Sequence, residues 1–245
     1  MNNKTLLAKI GGKIIEHPER LRSTLNQFKI LLFEKKKIDN VILIPGGGSY
    51  ANFVRILDKK LKIGDNLSHW MAIYAMNWNG IAISDLYEEI NCITDINELK
   101  KTKARISIFL PFDFLYKTDK LPHSWSVTSD SITIYIAYML NIKKCFLIKN
   151  IDGIFIKNQS MPVQEISTKN FKKLKNANKL AEFKTDLENL KKSQPIDLYS
   201  LTLIDDFKIS CIILNGSVNS TRIIEFFDEL KNKNEKIYTR IINGN

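Results

Sequence analysis

The sequence predicts an α/β protein, a three-layer sandwich with a mostly parallel central sheet and helices on both faces. Three observations carry that prediction. Short, β-branched, wholly apolar runs recur along the 245 residues, which is how strands buried on both faces of a parallel sheet read. Amphipathic helical segments separate them, the alternation of a sheet covered on both sides. Glycine clusters follow two of the apolar runs directly, where strand ends must turn tightly into helices.

Taken in order, residues 6–10 form the first strand, ending at Gly11-Gly12. A helix over residues 19–36 places Leu21, Leu25, Phe28 and Leu32 on one stripe. Pro18 suits its first turn, and the lysines from Lys35 to Lys37 suit the negative end of its dipole. Residues 41–44 are a buried strand that runs into Pro45-Gly46-Gly47-Gly48 and a second helix over 50–60. Residues 66–78 read as a helix with Met71, Tyr74, Ala75 and Trp78 on one side, and 106–110 as a strand stopped by Pro111. Thr128-Ser129-Asp130-Ser131 opens a helix carrying Ile132, Tyr135, Ile136 and Met139. The strand 145–148 is closed by Asn150 and followed by Asp152-Gly153. Residues 157–193 are polar and lysine-rich, an excursion with one helix. Residues 211–214 restore a core strand, a helix runs from a Ser220 cap to about residue 230, and 236–242 are a final strand.

Lys and Arg number 37 against 26 Asp and Glu, a formal charge of +11. That balance favours anionic partners. The lysines are dispersed over helix faces with no aromatic-basic module, so nucleic acid is not the expected partner. Cys92, Cys145 and Cys211 are far apart, which argues against a disulfide framework or thiolate metal site; Cys145 and Cys211, in short apolar runs, read as buried thiols. The first ten residues hold no apolar core of a secretory peptide. No apolar run reaches the roughly 18 to 20 residues of a bilayer span. The expectation is a cytoplasmic protein with no membrane partner.

Five of the 10 glycines lie in the two clusters Gly11-Gly12 and Gly46-Gly47-Gly48. In an open parallel sheet, ligands bind beyond the carboxyl ends of the strands. Successive backbone N–H groups without Cβ can approach an anion there, with a helix dipole behind them. The clusters are therefore read as phosphate cradles, the alternative being tight turns needed only for folding. Neither matches GxxxxGK[ST] or GxGxxG. Lys9, at the end of the first strand, either faces solvent or sets a positive charge against phosphate oxygens, as phosphoryl transfer requires. Thr128 or Ser129 caps the following helix. Asp130 either complements that helix dipole or holds a lysine or magnesium ion near the phosphates. His123 and Trp125 shape an acceptor pocket or are structural, and His69 reads as packing. Asp152-Gly153 is a turn at the sheet edge or helps place a nucleotide. No grouping has the spacing of a protein metal site, and no GxSxG elbow is present.

These pieces together resemble the amino acid kinase family, the fold of the carbamate, acetylglutamate and uridylate kinases. The resemblance rests on Lys9-Ile10-Gly11-Gly12, on the run from Ile44 through Gly46-Gly47-Gly48 and Ala51-Asn52 to Arg55, and on Ser68-His69 with Ala72. The run from Pro122 to Ser131, Ile151-Asp152-Gly153, Leu214-Asn215-Gly216 and the stretch from Ile237 to Ile241 complete it. It implies one domain over residues 1–245, with an acceptor-side half 1–140 and a nucleotide-side half 141–245. Within the family, the long motifs look most like the methanofuran-biosynthesis branch, which phosphorylates an aminomethylfuran methyl phosphate to the diphosphate. The implied cofactors are ATP and Mg²⁺, the implied assembly a homo-oligomer, and the implied partner a small phosphate acceptor. Kinases of an amino acid carboxylate or a nucleoside monophosphate, and a nucleotide-binding regulator without turnover, are the alternative readings.

The resemblance also implies roles. Lys9 would contact the transferring phosphoryl group, and Asp130 would organise the catalytic lysines. Gly11, Gly12 and Lys13 would line the donor phosphates. Gly46, Gly47, Gly48 and Arg55 would hold the acceptor, with His123 and Ser129 beside them. Lys149, Asp152 and Gly153 would lie on the nucleotide side. Lys149-Asn150 stand where the family commonly has Thr-Asp, and Lys13 where serine is usual. The family's second catalytic lysine has no counterpart that can be placed among Lys157, Lys169 and their neighbours.

Overall fold

The computed structural model describes residues 4–181 and 194–244. Eight strands form one sheet: β1 (Thr5–Ile10), β2 (Asn40–Pro45), β3 (Asn91–Ile93), β4 (Ile106–Phe109), β5 (Lys144–Lys149), β6 (Glu165–Ser167), β7 (Ser210–Asn215) and β8 (Thr239–Ile242). Their order is β3-β4-β2-β1-β5-β7-β8-β6. Pairing is parallel except between β7 and β8, which are antiparallel. The α/β sandwich with a mostly parallel sheet is thus the observed architecture.

Among the described residues ten α-helices connect the strands: α1 (Gly12–Ile15), α2 (Pro18–Lys29), α3 (Gly48–Leu61), α4 (Asp65–Leu86), α5 (Ile96–Lys101), α6 (Phe112–Thr118), α7 (Ser129–Met139), α8 (Thr168–Asn176), α9 (Leu198–Phe207) and α10 (Arg222–Phe227). The helix expected over 19–36 is α2 followed by a π-helical turn, Ile30–Glu34. The helix expected over 66–78 runs on to Leu86. Asn79-Gly80 does not break it, because Gly80 is where the helix lies against the sheet. A Cβ there would stand 2.4 Å from Leu110 Cδ2. Strands β3 and β6 and helices α5, α6 and α9 are too short or too weakly periodic to stand out in sequence. Part of the excursion expected over 157–193 is β6 and α8; its residues 182–193 lie outside the described residues. The C-terminal helix is shorter than expected, and the last strand is confined to Thr239–Ile242. Thr221, not Ser220, stands at the N-cap of α10; the Ser220 hydroxyl bonds the Asn215 carbonyl at 2.8 Å.

Side-chain alternation divides the core into two layers. On β1, Leu6, Ala8 and Ile10 join the layer under α2, while Leu7 joins the layer containing α7 and α9. On β5, Phe146 and Ile148 face the first layer and Cys145 and Leu147 the second. A strand repeats every two residues, so Lys9 and Lys149 fall on the α7 side, at the carboxyl ends of adjacent strands. That helix is buried along most of its length. Among the described residues no helix is long and apolar enough to cross a membrane. Cys145 and Cys211 are buried free thiols on paired strands, while Cys92 is exposed.

Gly153 follows β5 with φ +142°, and a Cβ there would meet Thr239 Oγ1 at 2.4 Å and Pro162 Cβ at 2.9 Å. Gly153→Ala is expected to cost about 2 kcal/mol of stability, measured by urea unfolding; a loss below a few tenths would contradict the assigned backbone.

Candidate active site

Both glycine turns are tied to the sheet by their first residue. Gly11 N–H donates to Ile148 O at 2.8 Å, and Gly46 N–H to Ile10 O at 2.8 Å. The residues that follow, Gly12 at the start of α1 and Gly47-Gly48 at the start of α3, therefore meet above the β1–β2 edge. The contact is backbone to backbone: a Cβ on Gly12 would stand 2.6 Å from Gly48 Cα. Gly48 has φ +53°, and buried Asn79 of α4 donates from Nδ2 to Gly46 O at 2.7 Å. The two clusters share one cleft of about 300 Å³, which Lys9, Gly12, Gly47, Gly48, Asp130 and Lys149 all line.

Asp130, one residue into α7, receives both strand lysines. Lys149 Nζ donates to Oδ2 at 2.6 Å, and Lys9 Nζ lies 3.0 Å from Oδ1, an ion pair outside hydrogen-bond alignment. Lys9 is 6% exposed and Asp130 3%, so this charge cluster has little water to screen it. Burial alone would raise the Asp130 carboxyl, but the Lys149 and Lys9 ammonium groups outweigh it and hold it far below the usual carboxylate range. Burial pushes the Lys9 ammonium below the ordinary lysine value, with the Asp130 charge opposing and Lys149 adding to the shift.

The far wall of the cleft is aromatic and cationic. Arg55 of α3 lies with its guanidinium carbon 4.1 Å from the Trp125 ring centroid, a cation–π contact. Trp125 Nε1 donates to Asp58 Oδ2 at 2.7 Å, which fixes the loop before α7 against α3. Burial lowers the Arg55 guanidinium, and Asp58 opposes it. His69 of α4 lines the cleft. Burial, with His123 behind it, pushes its imidazole down to about 4, so it is neutral at neutral pH.

Several sequence expectations change here. Thr128 is the N-cap of α7, leaving Ser129 on the cleft wall. His123 does not line the cleft: its Nε2 is 2.6 Å from Asp119 Oδ1 and its ring stacks on His69 at 4.6 Å. His69, expected only to pack, is the histidine that reaches the cleft. Lys13 lines it too, at the mouth of α1. Asp152 and Gly153 lie outside it; Asp152 accepts from Asn215 Nδ2 at 3.2 Å and Arg222 Nε at 3.3 Å. Gly11 and Gly46 are held in the sheet ladder behind the cleft lining. Lys149, expected on the nucleotide side, reaches Asp130. Its strand parity with Cys145 and Leu147 was the available signal. Asp197, at the N-cap of α9, also lines the cleft, and nothing in its local sequence marks it for that place.

The amino acid kinase family profile matches residues 4–215. The chain belongs to the amino acid kinase family. It is a small-molecule kinase, a phosphotransferase, and kinases of this family use ATP. This kinase is 30% identical over 241 residues to [5-(aminomethyl)furan-3-yl]methyl phosphate kinase of Methanocaldococcus jannaschii, covering 96% of this chain and 97% of that one. Its fold is similar to uridylate kinase from Archaeoglobus fulgidus, with TM-score 0.64, 16% identity and coverage of 97% and 99% of the two chains. The UMP kinase of Bacillus anthracis gives TM-score 0.65 at 17% identity, with 99% and 97% covered.

Replacing Asp130 strands the buried Lys9 ammonium and the half-buried Lys149 ammonium. Asp130→Asn is expected to lower stability near pH 7 by about 3 kcal/mol, read from denaturant midpoints. The sign with pH follows from Lys9. Its folded pKa falls further without the carboxylate, so between that value and 10.5 the unfolded chain holds the extra proton and stability rises with pH. The deficit therefore shrinks towards pH 10, and a deficit that grows there would contradict the ion cluster.

Proposed function

We propose that this kinase transfers the γ-phosphoryl group of ATP to a small acceptor that already carries a phosphate, an aminomethylfuran methyl phosphate-like compound, giving a diphosphate and ADP. The observation that carries the reading is the Lys9–Asp130–Lys149 cluster facing two touching glycine turns across one cleft. The choice of acceptor is supported by the likeness to the Methanocaldococcus jannaschii kinase along nearly the whole chain and by the Trp125–Arg55–His69 wall. Such a wall offers an aromatic ring a face and a phosphate a guanidinium.

An acceptor phosphate oxygen attacks the γ-phosphorus, a P–O bond forms, and the bond to the β,γ-bridging oxygen breaks as ADP leaves. The attacking oxygen is already anionic, so no general base is needed. Lys9 and Lys149 neutralise charge on the transferring group, and Asp130 keeps both ammonium groups aimed at it. Backbone N–H groups at Gly12, Gly47 and Gly48 hold phosphates in line, so catalysis is positioning plus electrostatics. Gly11 and Gly46 hold the two turns in the sheet, Arg55 and Ser129 meet the acceptor, and Lys13 meets the donor phosphates. Asp152 and Gly153 shape the nucleotide-side turn.

Among the described residues no three His, Cys, Asp or Glu are grouped as a metal cage. Glu16 nevertheless faces both glycine turns, its Oε1 3.2 Å from where a Gly48 Cβ would stand. One carboxylate beside bound phosphates suits Mg²⁺ carried in by the nucleotide. When bound, that ion would offset donor charge, with Glu16 as its protein contact.

The assembly we infer is a homo-oligomer built on α4. Leu67, Tyr74, Trp78 and Ile81 stand exposed on this helix, and Tyr116 joins them through Phe112. At roughly 100 Å² each they supply the apolar centre of a standard interface of about 800 Å² per partner. The helix carries no Lys or Arg in a chain of charge +11, so two copies can meet there without repulsion.

With ATP and [5-(aminomethyl)furan-3-yl]methyl phosphate, ADP release should follow acceptor addition, and UMP or carbamate should give less than about a tenth of that rate. Lys9→Ala should lower turnover at least about 1000-fold with an unchanged circular dichroism spectrum; a rate within tenfold of the parent would end the kinase assignment for this cleft. Faster turnover of UMP would replace the acceptor. Trp78→Glu is expected to give monomers by light scattering, and an unchanged mass would remove α4 from the interface.

A further inference from the structure

We infer that Asp197 is a positioning residue for phosphoryl transfer, one carboxylate that clamps the first turns of α7 and α9 together and so fixes Asp130 between the two lysines. This rests on Asp130 holding Lys9 and Lys149 for transfer. It adds a residue from the far half of the chain, 67 positions from Asp130.

The geometry is specific. Asp197 Oδ2 accepts from Thr128 Oγ1 at 2.6 Å and from Ser131 N–H at 3.2 Å. Oδ1 accepts from Ser131 Oγ at 2.5 Å and from Ser200 N–H at 2.7 Å. The Ser200 bond is the usual N-cap bond of Asp197's own helix. The other three go to α7, so a single side chain serves two helix N-termini. Asp130 lies between Thr128 and Ser131, both held by Asp197. Its own N–H reaches Thr128 Oγ1 at only 3.3 Å, a long bond for the native cap.

Packing does not make this clamp redundant. Apolar burial fixes the axis of α7 but leaves the first turn free to fray, since the first N–H groups of a helix have no partner within it. A carboxylate that must meet two ammonium groups tolerates little of that movement. Asp197 is 7% exposed and itself lines the cleft. Its hydrogen bonds come from hydroxyls and N–H groups rather than a cation. The charges facing Lys9 are Asp130, Lys149 and Asp197; burial pushes the ammonium below the ordinary lysine value, and the two carboxylates oppose that shift.

The test is Asp197→Asn in the full chain. With ATP and [5-(aminomethyl)furan-3-yl]methyl phosphate, kcat should fall about 100-fold while both KM values stay within about threefold. The alkaline limb of the pH–rate profile should move to lower pH, because Lys9 loses a supporting negative charge. NMR titration of the lysine side chains in the free enzyme, with the Lys9 signal assigned by Lys9→Arg, should show that same displacement without any acceptor. Thr128→Val should reproduce the kcat loss and Thr128→Ser should not; these variants leave the cap on α9 intact if Asp197→Asn does not fold. An unmoved Lys9 titration together with kcat within threefold of the parent, or kcat lost only in proportion to folded protein, would reduce Asp197 to a structural cap. Neither result would touch the assignment of Lys9, which its own alanine variant decides.

Discussion

Two ammonium groups share one buried carboxylate at the ends of two adjacent parallel strands. The cluster of Lys9, Asp130 and Lys149 carries net positive charge where water is scarce, a costly arrangement unless each charge has a partner. Asp130 supplies a partner to both lysines but neutralises only one. The remaining charge is directed into the cleft, where the backbone N–H groups of the glycine turns add to it. Phosphate oxygens complete the arrangement, and the folded protein is preorganised to receive them rather than reorganised by them.

The surrounding architecture follows from keeping that cluster in place. β1 and β5 must be neighbours, in register, with their alternation set so that position 9 and position 149 share a face; Leu7 pairs with Cys145 and Lys9 with Leu147. α7 must end its first turn at the carboxyl edge of the sheet. Gly12 and Gly48 must be glycines because their backbones touch, which brings both turns to one cleft. The Asp58–Trp125–Arg55 contact then holds the loop ahead of α7 against α3, so the aromatic wall and the charged floor are fixed by the same short segment.

Much of this was legible in sequence, for physical reasons. Strands β1, β2, β4, β5 and β7 are buried on both faces, so their apolar runs are unmistakable, and glycine pairs after them mark tight turns. Lys9 and Asp130 stood out by position beside those features. Lys149 stood at a strand end with the right parity, but parity means nothing until the strand order β1-β5 is known, and that is a long-range property of the sheet. His69 and His123 exchanged roles for a related reason, since helix α4 continues past Gly80 and its placement over the sheet, not its local pattern, decides which imidazole meets the cleft. Asp197 gave no signal because its partners lie on α7, far away in the chain.

The chemistry of the site discriminates between acceptors more sharply than the fold does. An alcohol acceptor needs a base to take its proton, and the histidine that lines the cleft has its basicity lowered to about 4 by burial, which makes it a poor base near neutrality. The cleft carboxylates Asp130 and Asp197 are committed to two lysines and to four hydrogen bonds. Glu16 faces the glycine turns. A site so furnished suits an attacking oxygen that arrives already charged. Phosphate and carboxylate both meet that condition, but a phosphate brings more charge to a cleft lined by Lys9, Lys13, Arg55 and Lys149 against Glu16, Asp130 and Asp197, and the Arg55–Trp125 wall offers a guanidinium and a ring beside it. The uridylate kinase likeness, at 16% identity, speaks for the scaffold; the acceptor we propose rests on this furnishing of the cleft and on the likeness to the Methanocaldococcus jannaschii kinase.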